Sequence, residues 1–113
     1  MLTKHELDNI MSNFANELKE LFGESLKDII LYGSYAREDY DEESDVDVMI
    51  LVDIENNLLH NYRGLVSSAA DKADWNFDTL LSPIMVNNDE FEKYKQLPSF
   101  YSNVNREGVH LLV

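Results

Sequence analysis

The sequence predicts an α/β (α+β) fold, a small mixed β-sheet flanked by helices, and three observations predict it. Two short runs, 28–32 and 46–52, are nearly continuous in apolar residues, the character of strands covered on both faces. Around them apolar residues recur at three- and four-residue spacing, the period of amphipathic helices. The two patterns alternate as helix, strand, helix, strand, helix, strand, helix, an order that packs helices against one sheet.

Thr3-Lys-His-Glu6 has the form of a capping box, and Gly23 suits a helix C-terminus. Between them Leu7, Ile10, Met11, Phe14, Leu18, Leu21 and Phe22 fall at helical spacing, which predicts a first helix over 4–22. A first strand is expected over 28–32, a short helix over 35–39, and an interior second strand over 45–52. Asn56 or Asn57 is expected to cap a helix whose apolar stripe is Leu58, Leu59, Tyr62, Leu65, Val66, Ala69, Ala70 and Ala73. A third strand is expected over 75–86, with Pro83 marking a break or an edge. Asn87 starts a further helix that Pro98 ends, Ser99 caps a last short helix to Glu107, and Gly108 closes it. The tail from Val109 to Val113 adds a strand or meets a partner.

The 113 residues make a single domain, 1–113, with one core, and no repeat or linker interrupts them. A hydrophobic fraction of 44% separates the chain from disordered sequences. There is no cysteine, hence no thiolate or disulfide chemistry. No apolar run approaches a membrane span, and the N-terminal residues lack a signal peptide's apolar stretch, so a cytoplasmic protein is expected. Nine basic residues face 22 acidic ones, a formal charge of −13. That balance disfavours binding to a nucleic-acid backbone. It suits either a basic protein partner or plain solubility. Seven of the ten residues from Glu38 to Asp47 are acidic, and most of that loop is expected in solvent.

The segment from Gly33 to Asp47 carries the chemistry. Gly33 ends the first strand and lets a backbone approach a ligand closely. Ser34 brings a hydroxyl to the turn, and the amides of Gly33, Ser34 and Tyr35 are placed to meet phosphates. Asp45 and Asp47 are two apart, so on a strand both carboxylates share a face. Paired carboxylates beside a phosphate cradle suit Mg²⁺-dependent phosphoryl transfer. Arg37 either clamps a phosphate or pairs with Glu42 or Glu43. Tyr32 and Tyr35 flank the cradle. Trp75 and Tyr62 are expected in the core. His5, His60 and His110 have no ligand spacing and read as surface or hydrogen-bonded residues.

Gly33-Ser34, ten residues and then Asp45-x-Asp47 resembles the signature of the DNA polymerase β-like nucleotidyltransferase superfamily. With Gly33-Ser-Tyr-Ala-Arg37 and the short length, the chain resembles the minimal nucleotidyltransferases (MNT domains), many of which are antitoxins paired with HEPN-domain toxins. The resemblance implies the polymerase β-like core, two Mg²⁺ ions, and transfer of AMP from ATP to a hydroxyl. The implied acceptor is a tyrosine of a cognate HEPN-type ribonuclease toxin, held in a hetero-oligomer. It further implies a third carboxylate on the neighbouring strand. Asp78, in an otherwise apolar run, fits that place better than Asp74, which suits a helix end. Members of this family commonly carry Gly where this chain has Glu38. Two rival functions follow from the same residues: an antitoxin that neutralises its partner by binding alone, and an aminoglycoside-type subunit acting on a small molecule.

Overall fold

The computed structural model describes residues 2–41, 44–74 and 81–112. Helix α1 spans Lys4–Phe22. The Thr3 hydroxyl accepts from the Glu6 amide while the Glu6 carboxylate accepts from the Thr3 amide, the reciprocal pair the sequence predicts. A 3₁₀ turn, Gly23–Ser25, leads to strand β1, Leu26–Tyr32. Helix α2 is Ser34–Arg37, and strand β2 is Val46–Val52. Asn56–Tyr62 is a 3₁₀ segment, followed by helix α3, Arg63–Asp74. Strand β3 is Leu81–Asn87, helix α4 is Asn88–Tyr94, helix α5 is Phe100–Glu107, and strand β4 is Val109–His110.

The sheet order is β3-β2-β1-β4, with β2 parallel to β3 and β1 antiparallel to both β2 and β4. Pro83 therefore lies on the edge strand of this sheet, the place where a strand tolerates proline. Strand alternation divides the core. Ile29, Leu31, Val48, Ile50 and Val52 face α1 and α3, packing with Phe14, Leu18 and Val66. Ile30, Met49 and Leu51 face the other way, onto Phe91 of α4 and Val104 of α5. Both faces are covered, which is why β1 and β2 carry apolar residues without alternation. Asp47 shares the strand face of Met49 and Leu51, so the architecture aims it at the α5 side. Among the described residues no helix is long and apolar enough to cross a membrane.

Two local expectations need correction. The stretch after Asp53 does not begin as an α-helix capped by Asn56 or Asn57: it runs as 3₁₀ with Glu55 at its N-cap and no side-chain cap bond. In that tighter winding residues three apart eclipse, so Leu59 and Tyr62 turn inward together while Leu58 stays exposed. Leu65, placed in the stripe by spacing, is also exposed, because only Val66, Ala69, Ala70 and Ala73 of α3 reach the core. The expected third strand is described from Leu81 onward; its earlier part, with Trp75 and Asp78, lies outside the described residues.

The tail is tied to the sheet by a buried polar clasp. Asp28 is 4% exposed. One of its oxygens accepts from the amides of Ile29 and Leu112, and the other lies 2.6 Å from His110 Nδ1. His110 Nε2 faces the Asn105 carbonyl at 3.2 Å. Both ring nitrogens thus meet acceptors, an arrangement that only the imidazolium satisfies fully.

Candidate active site

The site grows from one register pair. Tyr32, the last residue of β1, lies opposite Asp47 of β2. The chain must then leave β1 without striking the Asp47 side chain, and Gly33 does this at φ 74°. A Cβ at Gly33 would collide with Asp47 Oδ2 and stand 3.2 Å from its Cγ. Glycine is required here twice over, by the positive φ and by the carboxylate.

Gly33, Ser34, Arg37 and Asp47 line one cleft of about 460 Å³, within the range of small-ligand sites. Its opposite wall is α5, which contributes Phe100, Asn103, Val104, Arg106 and Glu107; Tyr32 completes the lining. Phe100 stands edge-on to Tyr32, ring centroids 5.6 Å apart. The sequence reading did not anticipate this wall. The local signal for it is that Phe100, Asn103 and Arg106 repeat at three-residue spacing on α5, with Val104 as its buried anchor.

Asp47 is half-buried, and burial together with the charge of Asp45 pushes its carboxyl above the usual carboxylate range, with Arg37 opposing. Burial and the Asp47 charge also raise the Tyr32 phenol. Asp45 is exposed, one residue before β2 begins. The third expected carboxylate, Asp78, lies outside the described residues; among those described, no three ligating side chains come together. The two carboxylates present are hard oxygen donors whose mutual repulsion a cation would relieve, so they fit Mg²⁺.

Of the two tyrosines that flank the turn, Tyr32 lines the cleft and Tyr35 does not. Its side chain is 5% exposed and stacks on Tyr40 at 4.2 Å, in the α1-side core. One helical step past Ser34 turns it away from the cleft, and only its backbone remains near the turn. Arg37 pairs with Asp39 at 3.1 Å and approaches Glu107 at 3.9 Å. Glu42 and Glu43, its expected alternatives, lie outside the described residues.

Glu38 follows α2 in the left-handed conformation, φ 64° and ψ 25°. This is the position where a helix end favours glycine. Glu38→Gly is expected to stabilise the protein by about 1 kcal/mol in urea denaturation, because it removes that steric cost. An unchanged midpoint would show that the loop carries no strain.

A cavity of similar size, between the 3₁₀ segment, α3 and β3, holds no carboxylate among its described lining residues. His5 contacts Asn9 on the exposed face of α1, and His60 is exposed.

The sequence model of the family described as Nucleotidyltransferase domain matches residues 11–109. The chain is 36% identical over 108 residues to Putative protein adenylyltransferase MJ0141 of Methanocaldococcus jannaschii, covering 94% of this chain and 99% of that one. It is 34% identical over 101 residues to Putative protein adenylyltransferase MJ0604 of the same organism, covering 89% and 93%. Over 50 residues it is 46% identical to Protein adenylyltransferase MntA of Thermococcus cleftensis, 44% of this chain and 48% of that one.

Proposed function

The chain belongs to the Nucleotidyltransferase domain family and is a nucleotidyltransferase, and on that premise we propose that it transfers AMP from ATP to a tyrosine hydroxyl of a partner protein, a HEPN-type ribonuclease toxin that it thereby silences as an antitoxin. The observation that carries this reading is the meeting of Gly33, Ser34 and Asp47 in one cleft. Protein as the acceptor is supported by the names of two relatives that match nearly end to end. The formal charge of −13 suits a basic partner and electrostatically assisted association. A cytoplasmic setting, with ATP at hand, suits the chemistry.

In this reading the Ser34 hydroxyl and the amides of the Gly33 turn hold the phosphates, and Arg37 adds a cation to them. Asp45, Asp47 and Asp78 would hold Mg²⁺, which supplies charge neutralisation to the phosphates and the leaving pyrophosphate. The acceptor oxygen forms a bond to the α-phosphorus while the bond between that phosphorus and the α–β bridging oxygen breaks, and pyrophosphate departs. The hydroxyl proton passes to a carboxylate, for which Asp78 is the candidate. Gly33 keeps the turn thin enough for Asp47 and the phosphates to share the space.

The test is intact-mass spectrometry of the partner after incubation with this protein, ATP and Mg²⁺. A gain of one or more adenylyl units, localised to tyrosine, is expected. Tight complex formation with no mass change would instead favour neutralisation by binding, a reading to which the Glu38 carboxylate beside α2 lends some weight.

A further inference from the structure

We infer that Arg106, in the last turn of α5, joins Arg37 in a two-arginine clamp for the β and γ phosphates of the bound nucleotide, with Glu107 holding the clamp in the ligand-free protein. The inference rests on the nucleotidyl-transfer reading above and extends it to α5.

Cations are scarce in this chain, nine against 22 acidic residues, and only three are arginines: Arg37, Arg63 and Arg106. Two of these three line the cleft that holds Gly33, Ser34 and Asp47. They come from elements distant in sequence, α2 and α5, and one carboxylate joins them. Glu107 Oε2 lies 3.9 Å from Arg37 Nη1, and Glu107 Oε1 lies 3.6 Å from Arg106 Nη2. Arg106 Nη2 also donates to Asn103 Oδ1 at 3.2 Å. Asn103, Arg106 and Glu107 fall at three- and four-residue spacing, so α5 presents them together.

These contacts are loose. The side chains of Arg37, Arg106 and Glu107 are 46%, 69% and 41% exposed. Solvent-exposed pairs of this kind contribute little. A polyphosphate brings several anionic oxygens where Glu107 brings one carboxylate. Guanidinium groups bind such oxygens in bidentate fashion. The ligand therefore displaces Glu107, and Arg37 and Arg106 close on the phosphates from opposite walls. Asp39 also pairs with Arg37, at 3.1 Å. Selectivity follows: the clamp reads the β and γ phosphates, so it favours a nucleoside triphosphate over a monophosphate.

The experiment is equilibrium binding of ATP and of AMP, each with Mg²⁺, to the full chain by titration calorimetry. Arg106→Ala and Arg106→Gln are expected to weaken ATP binding by about tenfold or more while leaving AMP binding within about twofold. Glu107→Gln is expected to tighten ATP binding a few-fold. Arg63→Ala, outside the cleft, serves as the control for lost charge alone. Unaltered melting temperatures establish that the variants are folded. The clamp is overturned if both Arg106 variants bind ATP as the wild type does, or lose no more than Arg63→Ala. The clamp then fails while nucleotide binding at the cleft stands. If the wild type binds neither ATP nor AMP, the clamp and the nucleotidyl-transfer reading fall together.

Discussion

Replacing Asp47 by asparagine is expected to lower nucleotidyl transfer by about 10³-fold or more, with no loss of stability. The loss follows from position: Asp47 is the carboxylate that lines the cleft beside the Gly33 turn, across from α5. In the proposed mechanism, removing its charge removes an anchor for Mg²⁺, an effect of several kcal/mol on the barrier. The stability side follows from the direction of its pKa. Burial first, then Asp45, raise it in the folded protein. The unfolded state thus ionises at lower pH and binds fewer protons between the two pKa values. Across that window the carboxylate's contribution becomes less favourable as pH rises. Asparagine, nearly isosteric and neutral, escapes this cost, so its melting temperature without metal should match or exceed the wild type's. Added Mg²⁺ should stabilise the wild type and leave Asp47→Asn unchanged. Partner mass, melting temperature and Mg²⁺ response can be read on one preparation. Retained transfer by the variant would remove Asp47 from the chemistry. Retained neutralisation of the partner without transfer would identify an occluding antitoxin.

His110→Ala should destabilise the protein by about 2–4 kcal/mol at pH 6, since it leaves a buried carboxylate without its cationic partner. Asp28 would keep only the amides of Ile29 and Leu112. Burial tends to lower the His110 pKa. The Asp28 hydrogen bond, the Asn105 carbonyl and the Asp28 charge outweigh it, with Lys95 a minor opposing charge, and the folded value rises above 6.5. A raised folded pKa places the full stabilisation below the unfolded value and loses it as pH climbs through the folded one. The gap between wild type and His110→Ala in urea denaturation should therefore narrow from pH 6 toward pH 9. A gap independent of pH would mean that the clasp acts through packing rather than through the charged pair. The clasp reaches the catalytic side through geometry: β4 pairs with β1, and Gly108 joins it to α5, the far wall of the cleft.

Local signals were legible because local physics produces them. Thr3 and Glu6 are three residues apart and cap α1 as their spacing dictates. Asn87 caps α4 and Ser99 caps α5 in the same way. Gly33 between an apolar run and a serine announces a thin turn, and the structure adds that Asp47 is what the turn must avoid. The 3₁₀ course of Asn56–Tyr62 was not legible, since Leu58, Leu59 and Tyr62 suit either winding and burial decides between them. Which of Tyr32 and Tyr35 faces the cleft was not legible either: Tyr32 lines it, and packing against Tyr40 takes the Tyr35 side chain to the core.

By itself the sequence determined the first two strands, the capped starts of α1, α4 and α5, the Gly33-Ser34 turn and the Asp45-x-Asp47 pair, because each depends on neighbours within a few residues. The tertiary structure alone decided that α5 walls the cleft, that Arg106 and Glu107 stand near Arg37, and that Asp28 meets His110 across 82 residues of chain. Those contacts depend on strand register and on which sheet face each helix covers. Both are settled by burying the whole apolar surface at once, and no short window of sequence contains that condition.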